Sequence, residues 1–161
     1  MKKINLNLYK TCIFDCDGVI LNSNQIKSNA FYLSTLKYGK EIANELLEYH
    51  KKIGGVSRYK KYEFLKHDIL PKYNIKIDNN EKESLINLYS QIVSEELLQC
   101  ELVKGLFELR KELINSNWIV VSGGDQNELR KVFKYMKIDH LDYNSRKIII
   151  KQYRVVLDDT F

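Results

Sequence analysis

The sequence predicts an α/β fold: a Rossmann-like core built on a parallel sheet, with a helical insert after its first strand. Three observations predict it. Thr11 to Asp15 (TCIFD) is a short, mostly apolar run broken by Asp17-Gly18, the reading of a buried strand that ends in a turn. Trp118 to Val121 (WIVV) is a continuous apolar run ending at Ser122-Gly123-Gly124, the pattern of a strand buried on both faces. Between and after these runs the apolar residues recur at helical spacing, and strands alternating with helices argue for parallel pairing.

The elements follow in order. Asn22, Ser23 and Asn24 offer helix N-caps. From Gln25 to about Cys100 the pattern is almost wholly helical. Ile26, Ala30, Phe31 and Leu33 give one apolar face, and Ile42, Leu46, Leu47 and Tyr49 a second. Tyr62, Phe64, Leu65 and Ile69 fall in a third helix that stops before Pro71, and Leu85, Leu88, Ile92 and Val93 mark a fourth over Glu83 to Leu98. Leu106 to Ile114 reads as an amphipathic helix, and Asp125 can cap another that runs to about Lys137. Lys147 to Ile150 and Arg154 to Leu157 each read as a short strand. The domain division expected is 1–21 with 101–161 for the α/β core and 22–100 for the helical insert, which should sit over the carboxyl end of the first strand.

Composition excludes several classes. The chain has 161 residues, 44% of them hydrophobic and 29% charged, as in an ordinary globular protein. The net charge is +5, but the lysines are scattered through amphipathic stretches and form no dense block, so no nucleic-acid partner is expected. No apolar run is long enough to span a bilayer, and the N-terminal one is too short for a signal peptide. With Cys12, Cys16 and Cys100 in no CxxC or zinc spacing, and read as buried reduced thiols, the expected location is the cytoplasm. His50, His67 and His140 are too far apart in sequence to suggest a metal centre.

Two motifs carry chemistry. Asp15 and Asp17 lie two apart where the first strand ends, and in an extended backbone such positions share a side. Ligands of open parallel sheets bind just beyond the carboxyl ends of strands. Carboxylates held close repel unless protonated or bridged by a cation. Magnesium meets that need, and Gly18 lets the backbone turn closely about a ligand. The plainer reading is an Asp-Gly turn after a strand. Ser122, Gly123 and Gly124 end the second strand and open a helix, so a hydroxyl and backbone N–H groups could hold an anion. The plainer reading there is a loop capped by Asp125. Together, at the ends of two strands that could be neighbours, the motifs are far more specific than either alone.

The segment Phe14-Asp15-Cys16-Asp17-Gly18-Val19-Ile20-Leu21-Asn22-Ser23 resembles the first motif of the haloacid dehalogenase-like (HAD) hydrolases, and Val120-Val121-Ser122-Gly123-Gly124 is similar to their second. The helical insert matches the cap of the phosphoglycolate-phosphatase and β-phosphoglucomutase branch, and Gly55-Val56-Ser57-Arg58 resembles its cap loop. The resemblance covers about residues 8 to 137. It implies a magnesium-dependent phosphatase acting on a small phosphorylated metabolite such as a sugar phosphate. Asp15 would attack phosphorus to give an aspartyl-phosphate, and Asp17 would act as acid and then base. Asp15 and Asp17 would hold Mg²⁺, Ser122 and the Gly123 amide a phosphate oxygen, and Arg58 an anionic group of the substrate.

The tail departs from the family pattern. Residues 140–161 contain no glycine or proline around the lysine the family requires, and Lys147 and Lys151 are the stand-ins. Asp158-Asp159 could mimic the acidic pair that completes the metal shell. The favoured expectation is instead an unrelated tail after a core that is incomplete at its C-terminus, with a sheet edge open to self-association. Two other functions therefore stay open: a catalytically impaired relative that binds a phospholigand or a protein, and a sugar-phosphate mutase.

Overall fold

The computed structural model describes residues 8–138 and, as backbone, 149–152. Two compact units emerge. One combines 8–23 with 98–138 and 149–152, and the other is Asn24–Leu97.

The first unit is a three-stranded parallel sheet in the order β1-β2-β3, with β1 Thr11–Asp15, β2 Asn117–Ser122 and β3 Ile149–Gln152. Helix α5 (Leu106–Glu112) precedes β2, and α6 (Gln126–Tyr135) follows it. Parallel neighbours must be joined by crossovers, and these are right-handed in nearly all proteins. Two right-handed crossovers that step the same way place both helices on one face of the sheet. That face carries Phe14, Trp118, Val120 and Ser122. The Phe14 and Trp118 rings lie 4.4 Å apart, and the α5 residue Arg110 stacks over Trp118 at 5.2 Å. Trp118, Val120, Leu129, Val132 and Phe133 are buried. The Trp118 indole N–H is also buried and, among the described residues, has no hydrogen-bond partner, a local penalty of about 1–3 kcal/mol.

Both strands are less buried than their apolar runs predict. β2 alternates buried with half-buried positions, and in β1 Ile13 is 68% exposed. The helices cover one face, and β1 has a neighbour on one side only among the described residues. An apolar run shows that residues prefer burial and cannot show whether a covering layer exists. The strand expected at Lys147 to Ile150 begins at Ile149, and the one expected at Arg154 to Leu157 lies outside the described residues.

The second unit packs α1 (Asn24–Thr35) against α2 (Lys40–Lys52) and α4 (Asn79–Leu97), with α3 (Arg58–Phe64) against α4. Its core is aromatic: Phe31 touches the rings of His50, Tyr62 and Tyr89 at 4.6, 5.7 and 4.4 Å. Two apolar positions of the expected faces, Leu33 and Leu88, are exposed, at 48% and 40%. Each sits about 200° around its helix from a core residue, and the inward places go to Ser34 and Tyr89. Ser34 is tolerated inside because its hydroxyl meets the Tyr62 hydroxyl at 2.5 Å and donates to the Phe31 carbonyl at 3.1 Å. The third helix does not stop before Pro71. It continues as a π-helical stretch, Leu65–Ile69, and a 3₁₀ turn, Leu70–Tyr73, in whose first turn Pro71 is accepted.

One charged side chain lies in this core. Lys61 is buried, hydrogen-bonded to His50 Nδ1 at 2.7 Å and placed 5.3 Å from the Phe31 ring. Burial, aided by the nearby Lys27 charge, lowers its pKa from 10.5 to about 8. Between those values the unfolded chain binds a proton at Lys61 that the folded chain releases, so stability rises with pH across that window. In urea unfolding, wild type should gain up to about 3 kcal/mol between pH 8 and 10.5 relative to Lys61→Met. Parallel pH profiles for the two proteins would contradict this.

Candidate active site

β1 brings Asp15 to the carboxyl end of the sheet, level with Val121 and one residue short of Ser122. Asp15 is exposed, and its Oδ1 accepts a hydrogen bond from the Cys16 N–H at 2.7 Å. The chain then folds into a tight loop. Gly18 adopts φ 75°, a region glycine enters without penalty. Its N–H donates to the Leu21 carbonyl at 2.7 Å, and the N–H groups of Ile20 and Leu21 both donate to the Cys16 carbonyl at 2.9 Å. Cys16, Ile20 and Leu21 are buried and anchor the loop from below, which gives Cys16 a packing role.

Asp17 is held by a residue that sequence reasoning cast differently. Ser23, an N-cap candidate by sequence, is fully buried and donates from Oγ to Asp17 Oδ1 at 2.5 Å. A hydrogen bond to a carboxylate is among the stronger neutral-donor types, and it fixes one oxygen of Asp17. The only sequence signal was a hydroxyl six residues downstream, which the loop's compact fold turns into a neighbour. The segment in between is clasped by residues 101–103 of the returning chain: the Asn22 N–H donates to the Glu101 carbonyl at 2.9 Å, and the Val103 N–H to the Ile20 carbonyl at 3.0 Å.

At the end of β2, Ser122 is buried and its Oγ accepts from the Gly124 N–H at 3.1 Å. Asp125 caps α6, its Oδ1 accepting from the N–H groups of Asn127 and Glu128 at 2.8 and 3.0 Å. The first-turn donors of α6 are thus engaged by the protein's own carboxylate. An anion at this loop would be met by the Ser122 hydroxyl, whose oxygen accepts from Gly124 and whose hydrogen can still donate, and by the Gly123 amide.

β3 sets Lys151 opposite Val121, so Asp15, Val121 and Lys151 form one row across the sheet. Lys147, Asp158 and Asp159 lie outside the described residues. Arg58 belongs to the helical unit, where its Nη1 donates to Ser90 Oγ at 2.7 Å and its guanidinium lies 5.4 Å from the Tyr89 ring centre. Among the described residues no group of three His, Cys, Asp or Glu side chains converges. Magnesium is commonly held by one or two carboxylates plus phosphate oxygens and water. The Asp15–Asp17 pair fits a magnesium ion shared with a phosphate ligand, and does not fit an all-protein cage.

A parallel sheet with two carboxylates at the end of its first strand, and a serine-glycine loop at the end of the next, makes this an α/β protein whose candidate site lies at the carboxyl ends of its strands. The family model of the haloacid dehalogenase-like hydrolases matches residues 9–153, and the chain belongs to that family. No curated protein matches the sequence significantly. Among solved structures, a predicted phosphoglycolate phosphatase from Haemophilus somnus is similar at 15% identity and TM-score 0.64, covering 89% of this chain and 62% of its own. A Lactobacillus plantarum protein of the same designation shows 18% identity and TM-score 0.60, covering 89% and 61%. YfnB of Bacillus subtilis, described as a HAD-hydrolase and solved bound to magnesium, shows 18% identity and TM-score 0.57, covering 89% and 65%. At such identities the likeness shows the fold alone. The chain spans 61% to 65% of the length of these structures. Among the described residues no helix is long and apolar enough to cross a membrane.

The Ser23–Asp17 contact is testable by itself. Ser23→Ala should fold and lose about 1–3 kcal/mol in urea unfolding, and a double-mutant cycle with Asp17→Asn should show coupling of about 1 kcal/mol or more. Additive single effects would deny that Ser23 positions Asp17.

Proposed function

We propose that this chain is a magnesium-dependent phosphomonoester hydrolase for a small phosphorylated metabolite, working through an aspartyl-phosphate. The observation that carries this reading is the placement of Asp15 and Asp17 at the end of β1, level with the end of β2 and its Ser122. Asp15 is exposed, as a nucleophile must be, and its Oδ1 is oriented by the Cys16 amide, which leaves Oδ2 to attack phosphorus. Asp17, oriented by Ser23, protonates the departing oxygen and then takes a proton from the water that hydrolyses the acyl-phosphate. Ser122 and the Gly123 amide hold a phosphate oxygen. Asp15, with the Asp17 backbone carbonyl, would hold Mg²⁺, which when bound neutralises charge on the phosphate.

Lys151 is the described candidate for the lysine that steadies the phosphate, since its backbone shares the row of Asp15. Two strand spacings separate them, about 10 Å, so the side chain would have to span most of that gap. Asp158 or Asp159 would complete the metal shell, and Lys147 is the other lysine candidate. Arg58 is assigned to an anionic group of the substrate on the family resemblance; its bond to Ser90 and its stacking on Tyr89 supply the rigidity such a role needs.

A second reading, ligand binding without turnover, draws on one observation: among the described residues no third acidic side chain joins the pair. Hydrolysis of p-nitrophenyl phosphate with and without Mg²⁺ separates the two. The phosphatase reading expects Mg²⁺-dependent turnover, reduced about 10³-fold or more in Asp15→Asn and about 10²–10⁴-fold in Asp17→Asn. A folded wild-type protein without turnover that still binds phosphate in the presence of Mg²⁺ would favour the second reading and refute the first for this generic substrate.

A further inference from the structure

We propose that the Lys61–His50 hydrogen bond is a proton-operated clasp: it ties together the two ends of the loop that joins α2 to α3, and protonation of His50 opens it. His50 lies in the last turn of α2, and Lys61 one turn into α3. Their contact, Lys61 Nζ to His50 Nδ1 at 2.7 Å, therefore spans residues 53–57, where Gly55 takes φ 79° and Ser57 caps α3. Helix bonds finish the loop at each end. The Ile53 N–H donates to the Tyr49 carbonyl at 3.1 Å, and the Lys61 N–H to the Ser57 carbonyl at 3.2 Å. Arg58 follows the loop directly, so the clasp also orients the start of the helix that carries it. That last consequence bears on substrate only under the functional reading above.

A clasp of this kind holds while one partner donates and the other accepts. A charged lysine has three donor hydrogens and no acceptor, so His50 must present an unprotonated Nδ1. Imidazolium carries a donor on both nitrogens. A proton taken up by His50 thus sets donor against donor and charge against charge. The surroundings sharpen the conflict. Lys61 is buried, and Lys27 on α1 adds another positive charge acting on it. Phe31, also on α1, lies 5.3 Å from Lys61 Nζ and 4.6 Å from the His50 ring, so two cations would compete for one aromatic neighbour.

The remaining titratable and charged groups are placed as follows. Tyr62 and Arg58 share α3 with Lys61, and Tyr89 faces Phe31 and Tyr62 from α4. Burial pushes the Tyr62 phenol up, so it stays neutral. Of the carboxylates on α2 and α3, Glu45, Glu48 and Glu63 pair with Lys72, Lys51 and Lys82, and Asp68 acts on Tyr49. The clasp is closed where His50 is neutral and opens as pH falls through the imidazole range, about 6.5 and below, because the Lys61 charge opposes the incoming proton. The opening is local. The Tyr49 and Phe64 rings stack at 3.7 Å and join α2 to α3 by a contact that acid leaves intact.

The test follows the His50 ring by NMR titration of the intact chain, with amide hydrogen exchange at about pH 7.5 and about pH 5, on either side of the imidazole range. Exchange is corrected for its intrinsic pH dependence. His50 should titrate about one pH unit higher in Lys61→Met than in wild type. In wild type the Ile53 and Lys61 amides should lose at least tenfold in protection at the lower pH, while the Tyr89 and Val93 amides of α4 keep theirs. His50→Asn retains an acceptor in place of Nδ1 and removes the titration, so its Ile53 and Lys61 amides should be equally protected at both pH values. Circular dichroism checks the fold of each variant, and the wild-type comparison stands without them. A His50 midpoint unchanged by Lys61→Met overturns the proposal. So does equal wild-type protection at both pH values, a loss that α4 shares, or a loss that folded His50→Asn retains. Phosphatase activity enters none of these readouts, so this inference and the functional one fail separately.

Discussion

Parallel pairing of β1 with β2 is the constraint from which the site follows. Parallel strands point their carboxyl ends the same way, so whatever terminates each strand collects at one end of the sheet. The register from Thr11↔Asn117 to Asp15↔Val121 sets how closely the two terminations align. A slip of two residues would keep every side chain on its face yet carry Asp15 one pleat away from Ser122. Packing of Phe14 and Trp118 on the covered face, with Arg110 over the indole, makes such a slip expensive. The core is therefore what holds Asp15 and Ser122 in place.

The loop after β1 shows how little chain is needed to orient a carboxylate. Cys16, Ile20 and Leu21 are buried, Gly18 supplies the left-handed turn, and Ser23 reaches back to Asp17. The clasp between 20–22 and 101–103 closes the same loop from the other side. Asp15 and Asp17 are thus held by different means, one by its neighbour's amide and the other by a buried hydroxyl. That difference in environment is what the proposed division of roles between the two carboxylates would draw on.

Membership of the HAD-like hydrolases frames the function without fixing the substrate. Under the proposed function, specificity would belong to groups that touch the part of the ligand away from phosphorus. In the helical unit, the conspicuous cations are Arg58, fastened to Ser90 and Tyr89, and Lys61, buried beside His50. The first is stacked and planar, suited to an oxyanion. The second lies in an aromatic core, and burial lowers its affinity for a proton, so its first effect is on the stability of that unit.

The sequence by itself determined β1, β2, their parallel arrangement and the cap of α6: TCIFD is β1 residue for residue, WIVV lies within β2, and Asp125 caps α6. These are local properties, set by apolar runs, turn residues and capping groups that a linear pattern carries intact. Helix faces were legible in part, because a spacing of two or three residues leaves Leu33 and Leu88 ambiguous until neighbours choose Ser34 and Tyr89 for the interior. Only the tertiary structure decided that β1 is exposed on one face, that the continuation past Pro71 is a π-helical and 3₁₀ turn, and that Ser23 belongs to Asp17. Each of those depends on what lies across space from a residue, and nothing in the residue's own chemistry specifies that.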